Sequence, residues 1–254
     1  MKFSVCASSV FRDQPLREAL PKLRAAGALA YEFWLWWEEE AAPLKALQEE
    51  LGLRLISVCA RFEPTNQPQR QEAFLEGLKE TVAYAQALGC PVIIGQTGAL
   101  LPGVARAEQE KRIQDTLGKA ARVLEGSGCV LAVEPLNTQI DHKGYFLDRA
   151  QDAFRLARAV DSPQIRVLYD IYHQHITEGA PVHDLLDNLD LIAHVHLAGH
   201  PGRHEPWLPN EIDTNGLLRA IEAAGYTGYI GLEYFPREAG QALEELAGFL
   251  QKSQ

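Results

Sequence analysis

Positive charge is in short supply in this 254-residue sequence: 24 Lys and Arg stand against 34 Asp and Glu, a net charge of −10. A protein that binds nucleic acid usually shows a basic footprint, so DNA and RNA are poor candidate partners. Long hydrophobic runs are missing as well. No apolar stretch approaches the roughly 20 residues of a membrane helix, and no membrane span is expected. Cysteine is sparse: Cys6, Cys59, Cys90 and Cys129 lie far apart, in or beside apolar runs. They read as buried small hydrophobes, not as disulfide partners or a zinc cluster. The segment from Met1 to Val5 reads as a strand with no signal-peptide region before it, and a reducing cytoplasm is the expected compartment. No Ser/Gly-rich linker, charge block or low-complexity segment divides residues 1–254, so one domain is expected, long enough to bury a large core without staples. A glycine-rich nucleotide loop, which an open dinucleotide-binding sheet would carry after its first strand, is lacking too.

Against these absences stands a regular alternation. Eight short apolar runs rich in Val, Ile and Leu read as strands buried on both faces: Phe3 to Ala7, Tyr31 to Trp34, Leu53 to Cys59, Val92 to Gly95, Val130 to Glu134, Val167 to Asp170, Ala193 to Leu197 and Tyr229 to Glu233. Segments with helical spacing lie between them: Leu16 to Ala25, Pro43 to Leu51, Gln69 to Leu88, Ala105 to Leu124, Asp148 to Val160, Pro181 to Leu189 and Asn215 to Ala224. A final one runs from Gly240 to Gln251. Glycines after Leu51, Leu88 and Ala224 fit C-caps that turn the chain into the next strand. Strand-helix alternation repeated eight times predicts an α/β fold closed as a (β/α)8 TIM barrel.

The chemistry-bearing residues gather at strand ends. Glu134, Asp170, His196 and Glu233 each close an apolar run, and strand C-termini form the catalytic rim of such a barrel. Any one of them could cap a helix or pair with an arginine. All four at the same relative place point instead to a divalent cation. Three carboxylates and one imidazole suit Mn²⁺, Mg²⁺ or Co²⁺, with Zn²⁺ a poorer fit. His173, three residues beyond Asp170, can reach the same side of the rim and donate to a substrate oxygen. His175 reads as a surface or capping histidine of the next helix, and His194 as a core histidine that positions a neighbour. Arg203, in a Gly- and Pro-rich loop, could fix a substrate carboxylate through its fork of donors, or pair with Glu205 or Glu211. The aromatic run Phe33-Trp34-Leu35-Trp36-Trp37 could roof a small pocket or pack into the core or an interface. Glu32 has no assigned role, and an aromatic-rich rim admits a homo-oligomer.

Across its full length the chain resembles the xylose isomerase-like barrels, and among them the hydroxypyruvate isomerase family. The resemblance rests on Glu134-Pro135-Leu136-Asn137, Gly144-Tyr145-Phe146-Leu147, Tyr169-Asp170-Ile171-Tyr172-His173 and His194-Val195-His196-Leu197-Ala198-Gly199. It continues in Pro201-Gly202-Arg203-His204-Glu205-Pro206, Glu211-Ile212-Asp213 and Gly231-Leu232-Glu233-Tyr234. The Pro-Gly-Arg-His-Glu-Pro loop is the most specific part. The resemblance implies that Glu134, Asp170, His196 and Glu233 bind one divalent cation, that Glu134 and Glu233 double as the acid/base pair, and that His173 and Arg203 bind substrate. It also implies a small-molecule substrate, either a sugar or a hydroxy-keto acid. Hydroxypyruvate isomerases typically have Gln at the position of His196, whereas related ketose 3-epimerases have His. The loop implies isomerisation of hydroxypyruvate to tartronate semialdehyde and fits 2-oxo-tetronate isomerisation equally well, whereas His196 favours the alternative of ketose 3-epimerisation. A metal nuclease on the same barrel is more distant, because it would need further ligands and a basic face.

Overall fold

The computed structural model describes residues 1–12, 14–179, 182–238 and 242–252. Eight parallel strands close on themselves in chain order: β1 (Lys2–Cys6), β2 (Ala30–Glu32), β3 (Arg54–Cys59), β4 (Val92–Gly95), β5 (Val130–Val133), β6 (Ile165–Asp170), β7 (Ile192–Leu197) and β8 (Tyr229–Leu232). The last pairs with the first through Phe3 opposite Ile230 and Val5 opposite Leu232. Around them lie α1 (Leu16–Ala25), α2 (Ala41–Leu51), α3 (Gln71–Leu88), α4 (Arg106–Leu124), α5 (Ala150–Val160), α6 (Ile171–Glu178), α7 (Thr214–Ala223) and α8 (Ala242–Lys252). Short helices at Ala7–Val10 and Val182–Leu186 supplement the ring. No helix among the described residues is long and apolar enough to cross a membrane.

The barrel predicted from the alternation is the fold observed, with three adjustments. Several strand ends, Glu134 and Glu233 among them, lie one residue past the ladder, held by backbone bonds to Gly95 and Leu197. After β6 the chain enters a helix at once. Asp170 Oδ1 accepts the backbone N–H groups of Tyr172 and His173 at 2.8 and 3.2 Å, which caps α6. The helix expected at Pro181 to Leu189 shrinks to Val182–Leu186 plus a single turn at Leu189–Leu191. Pro181 and Gly240 lie outside the described residues. Gly52 and Gly89 do close α2 and α3 in the left-handed conformation, at φ +64° and +70°. All four cysteines are buried and unpaired.

Side chains alternate between two cores, as the pleat requires. Outward residues such as Leu55, Ile93, Leu131 and Val195 meet Leu20, Leu78, Ile113, Leu117 and Phe154 of the helices, all 0–1 % exposed. Burying each is worth about 1.5–3 kcal/mol. Inward residues are divided by strand. Cys59, Val92, Ile94, Ala132 and Leu168 form a small apolar cluster of their own. On the other side Ser4, Glu32, Ser57, His194 and His196 are buried polar groups joined by hydrogen bonds. The same alternation places a rim residue two positions beyond each inward one: Glu134 after Ala132, Asp170 after Leu168, His196 after His194, Glu233 after Gly231.

Candidate active site

The four rim ligands expected from the sequence converge. One donor atom from each of Glu134, Asp170, His196 and Glu233 lies within 4.8 Å of the others, and all four residues are buried. Adjacent strands set this up directly, because Asp170 pairs in register with His196 and His196 with Gly231. His196 points its Nδ1 at the carboxylates, 3.2 Å from Glu233 and 3.9 Å from Glu134, in hydrogen-bonding geometry with neither. Its Nε2 lies 2.9 Å from Glu32 Oε2. An ionised carboxylate can only accept, so Nε2 carries a hydrogen. Burial works against a charge on this ring, yet Glu233 and then Glu32 hold its pKa well above the ordinary value, so Nδ1 is the nitrogen that would release its proton on binding a cation in the site.

Glu32 is the residue whose role the sequence left open, and the structure gives it four partners. Oε1 accepts from Ser4 and His194 Nε2, and Oε2 from Ser57 (2.6 Å) and His196 Nε2. Burial works against its charge, yet His194 and then His196 hold its carboxyl well below the ordinary value. The network needs space that only Gly231 provides. A Cβ at Gly231 would stand 2.4 Å from Glu32 Oε1, 2.6 Å from His196 Cδ2 and 2.8 Å from His194 Nε2. A glycine inside a buried strand was the one sequence signal of this close approach.

His173 and Arg203 line the same mouth. His173 is fully buried, and its Nδ1 accepts the Asn137 backbone N–H at 3.2 Å, which puts the ring hydrogen on Nε2. That Nε2 has no hydrogen-bond partner and lies 3.6 Å from Asp170 Oδ2, a donor aimed into the site. Burial, reinforced by Arg203, keeps this imidazole neutral. Arg203 pairs with neither Glu205 nor Glu211. Its guanidinium reaches Asp170 at 3.2 Å and also bonds Glu233, while Glu205 accepts from the Arg237 backbone. Arg203 sits at φ +55°, a conformation costing an L-residue roughly 1–2 kcal/mol and concentrated at functional sites. The aromatic run splits between its two readings. Trp34 donates Nε1–H to Glu233 at 2.7 Å, whereas Trp36 is buried against Tyr84.

The electrostatics separate the two glutamates. Burial pushes the Glu134 carboxyl up to about 8, with Glu233 adding to the rise and His196 opposing it. Burial acts the same way on Glu233, but Arg203 and His196 hold that carboxyl far below the usual range. Asp170 is raised by burial, with Arg203 resisting. Three carboxylates thus share one guanidinium and one imidazole, beside a pocket of about 160 Å³ whose lining includes Trp34, Phe62, His142, Glu134, Arg203 and Glu233. The unsatisfied His196 Nδ1 and the crowded acids fit a divalent cation.

Residues 20–253 match one family of closed eight-stranded barrels: the chain belongs to the xylose isomerase-like TIM barrels. The hydroxypyruvate isomerase of Escherichia coli is 31% identical, over 95% of this chain and 96% of its own length. The 2-oxo-tetronate isomerase of Cupriavidus necator is 28% identical over 95% of each. A solved structure from Brucella melitensis, described as an AP endonuclease of family 2, superposes with a TM-score of 0.91 at 26% identity, covering 98% of both chains. Within the barrel family the chain is therefore an isomerase of the hydroxypyruvate isomerase kind.

Proposed function

We propose that this isomerase interconverts a three- or four-carbon 2-oxo hydroxy acid with its aldehyde isomer, hydroxypyruvate with tartronate semialdehyde in the simplest case. The observation that carries the reading is the convergence of Glu134, Asp170, His196 Nδ1 and Glu233 beside Arg203 and the His173 Nε2–H. The pocket beside these groups measures about 160 Å³.

Glu134, Asp170, His196 and Glu233 would hold one divalent cation, with Mn²⁺, Mg²⁺ or Co²⁺ favoured over Zn²⁺ by the oxygen-rich set. Bound there, it would polarise the substrate carbonyl and the neighbouring hydroxyl and so acidify the C–H between them. Arg203 holds the substrate carboxylate through its fork. Glu233, kept ionised by Arg203 and His196, takes the proton from the hydroxymethyl carbon of hydroxypyruvate. Glu134, the carboxyl that burial raises, would face the cation with one oxygen and deliver the proton on its other oxygen to the former carbonyl carbon, while the hydroxyl proton of the terminal carbon passes to the former carbonyl oxygen and leaves the aldehyde. The proton taken by Glu233 is exchanged through solvent to restore Glu134 for the next turnover. His173 donates Nε2–H to a substrate oxygen and fixes its orientation. Two carboxyls with values driven apart in one site are the usual signature of an assigned base and acid.

A second reading, isomerisation of a 2-oxo-tetronate, is supported by the Cupriavidus necator relative and uses the same groups with one more carbon in the pocket. The test is turnover by metal-loaded protein on hydroxypyruvate, 2-oxo-tetronate, D-fructose and D-tagatose, with EDTA-treated protein and an abasic-site DNA duplex as controls. EDTA-sensitive conversion of either acid, with intact DNA, supports the proposal. Conversion of the ketoses alone to their C3 epimers, or cleavage of the duplex, overturns it.

A further inference from the structure

We propose a second metal site on the barrel rim, in which His175, His200 and Glu211 bind a borderline divalent ion such as Zn²⁺ and tie the Arg203 loop to α6. His175 belongs to α6, and the other two to the segment between β7 and α7, so the three come together only in the folded chain. His175 Nε2 lies 3.5 Å and His200 Nε2 3.7 Å from the same oxygen, Glu211 Oε2, and all three donor atoms fall within 4.8 Å of one another. These separations are long for hydrogen bonds, which centre on about 2.7–3.2 Å. They are close to the spacing of metal ligands, because bonds of about 2.0–2.1 Å at tetrahedral angles place donor atoms about 3.3–3.4 Å apart.

The rings are already held. Glu211 N–H donates to the His200 carbonyl at 2.7 Å, and the two imidazoles pack with centroids 5.2 Å apart. Both Nδ1 atoms are buried and unpartnered, so Nε2 is the nitrogen each ring offers outward. The side chains of His175 and His200 are 16 % exposed and that of Glu211 is 62 % exposed, which leaves solvent access for the remaining coordination positions. Two imidazoles and one carboxylate are softer than the three carboxylates and single imidazole of the mouth, so the two sites select different ions.

Position gives the rim site a consequence. His200 packs at a tilt against Tyr172 (centroids 5.9 Å), and the Arg203 guanidinium lies 5.2 Å from the Tyr172 ring. An ion joining His200 to His175 therefore anchors the segment that carries Arg203 to the helix that carries His173. This assignment does not depend on the substrate or metal read for the barrel mouth.

The metal-stripped full chain is titrated with Co²⁺ and followed by its visible absorption, then displaced with Zn²⁺. Two classes of binding are expected. His200→Ala and, separately, the exposed Glu211→Gln weaken one class about tenfold or more while the other class, the circular dichroism spectrum and the thermal midpoint stay as in the unaltered protein. A single class that survives Glu233→Gln and disappears in His200→Ala also upholds the rim site, and counts instead against a metal at the mouth. If both rim variants titrate like the unaltered chain, or the only class present is the one Glu233→Gln removes, the proposal is overturned.

Discussion

Replacing Gly231 by Ala tests whether the buried network behind the mouth sets the geometry of the site. The added Cβ meets three atoms closer than 3.0 Å, and none can step aside freely. Glu32 Oε1 is pinned by Ser4 and His194, and the two imidazoles are pinned by Glu32. Overpacking a filled interior costs about 1–3 kcal/mol, and each hydrogen bond to a buried charge about 1.5–3 kcal/mol. Displacing Oε1 while keeping part of the network gives a loss of about 3 kcal/mol, or a fall in thermal midpoint of about 6–12 °C for a chain of this size. Because His196 turns with Glu32, divalent-cation affinity at the mouth falls about 10- to 100-fold, the usual effect of disturbing a group that orients a ligand. Differential scanning calorimetry and Mn²⁺ titration read the two quantities. Gly118→Ala is the control, since a Cβ there meets nothing within 4 Å. A Gly231→Ala protein whose midpoint moves by less than about 2 °C and whose affinity changes less than about twofold would refute the argument.

Glu134→Gln tests the raised carboxyl. The folded chain keeps a proton there, up to about 8, that the unfolded chain releases near 4.5, so this group's contribution to stability drains away as pH rises through that window. Gln does not ionise, so in EDTA the variant gains on the unaltered protein above pH 4.5 and most above 8; equal midpoints at high and low pH would contradict it. Glu233→Gln removes the proposed base, and turnover is expected to fall by about 10²–10⁴-fold with the barrel intact by circular dichroism. Retained turnover would discard the two-glutamate mechanism.

The barrel was legible because parallel strands buried on both faces write themselves as continuous apolar runs, and its rim because each run ends on a residue that does not belong in a core. Glu134, Asp170, His196 and Glu233 could be read that way one strand at a time. The Glu32 network could not: its members are spread over β1, β2, β3 and β7, and nothing local links Ser4 to His194. The pairing of Arg203 escaped for a related reason. Its acidic neighbours in sequence, Glu205 and Glu211, turn elsewhere, and its partners belong to β6 and the end of β8. Helix α6 was blurred because the polar residues His173, Gln174 and His175 interrupt what would otherwise be a regular apolar stripe.

Asp170 serves two masters with one side chain. Oδ1 starts α6 and Oδ2 faces Arg203 and the mouth, so the residue is specified twice over. Asn keeps the cap but gives up the charge; Glu keeps the charge but carries its oxygens one methylene too far to start the helix. The mouth and the first turn of α6 thereby share one carboxylate. Two residues of that helix, His173 and His175, face the mouth and the rim cluster respectively, so a single carboxylate stands at the junction of both.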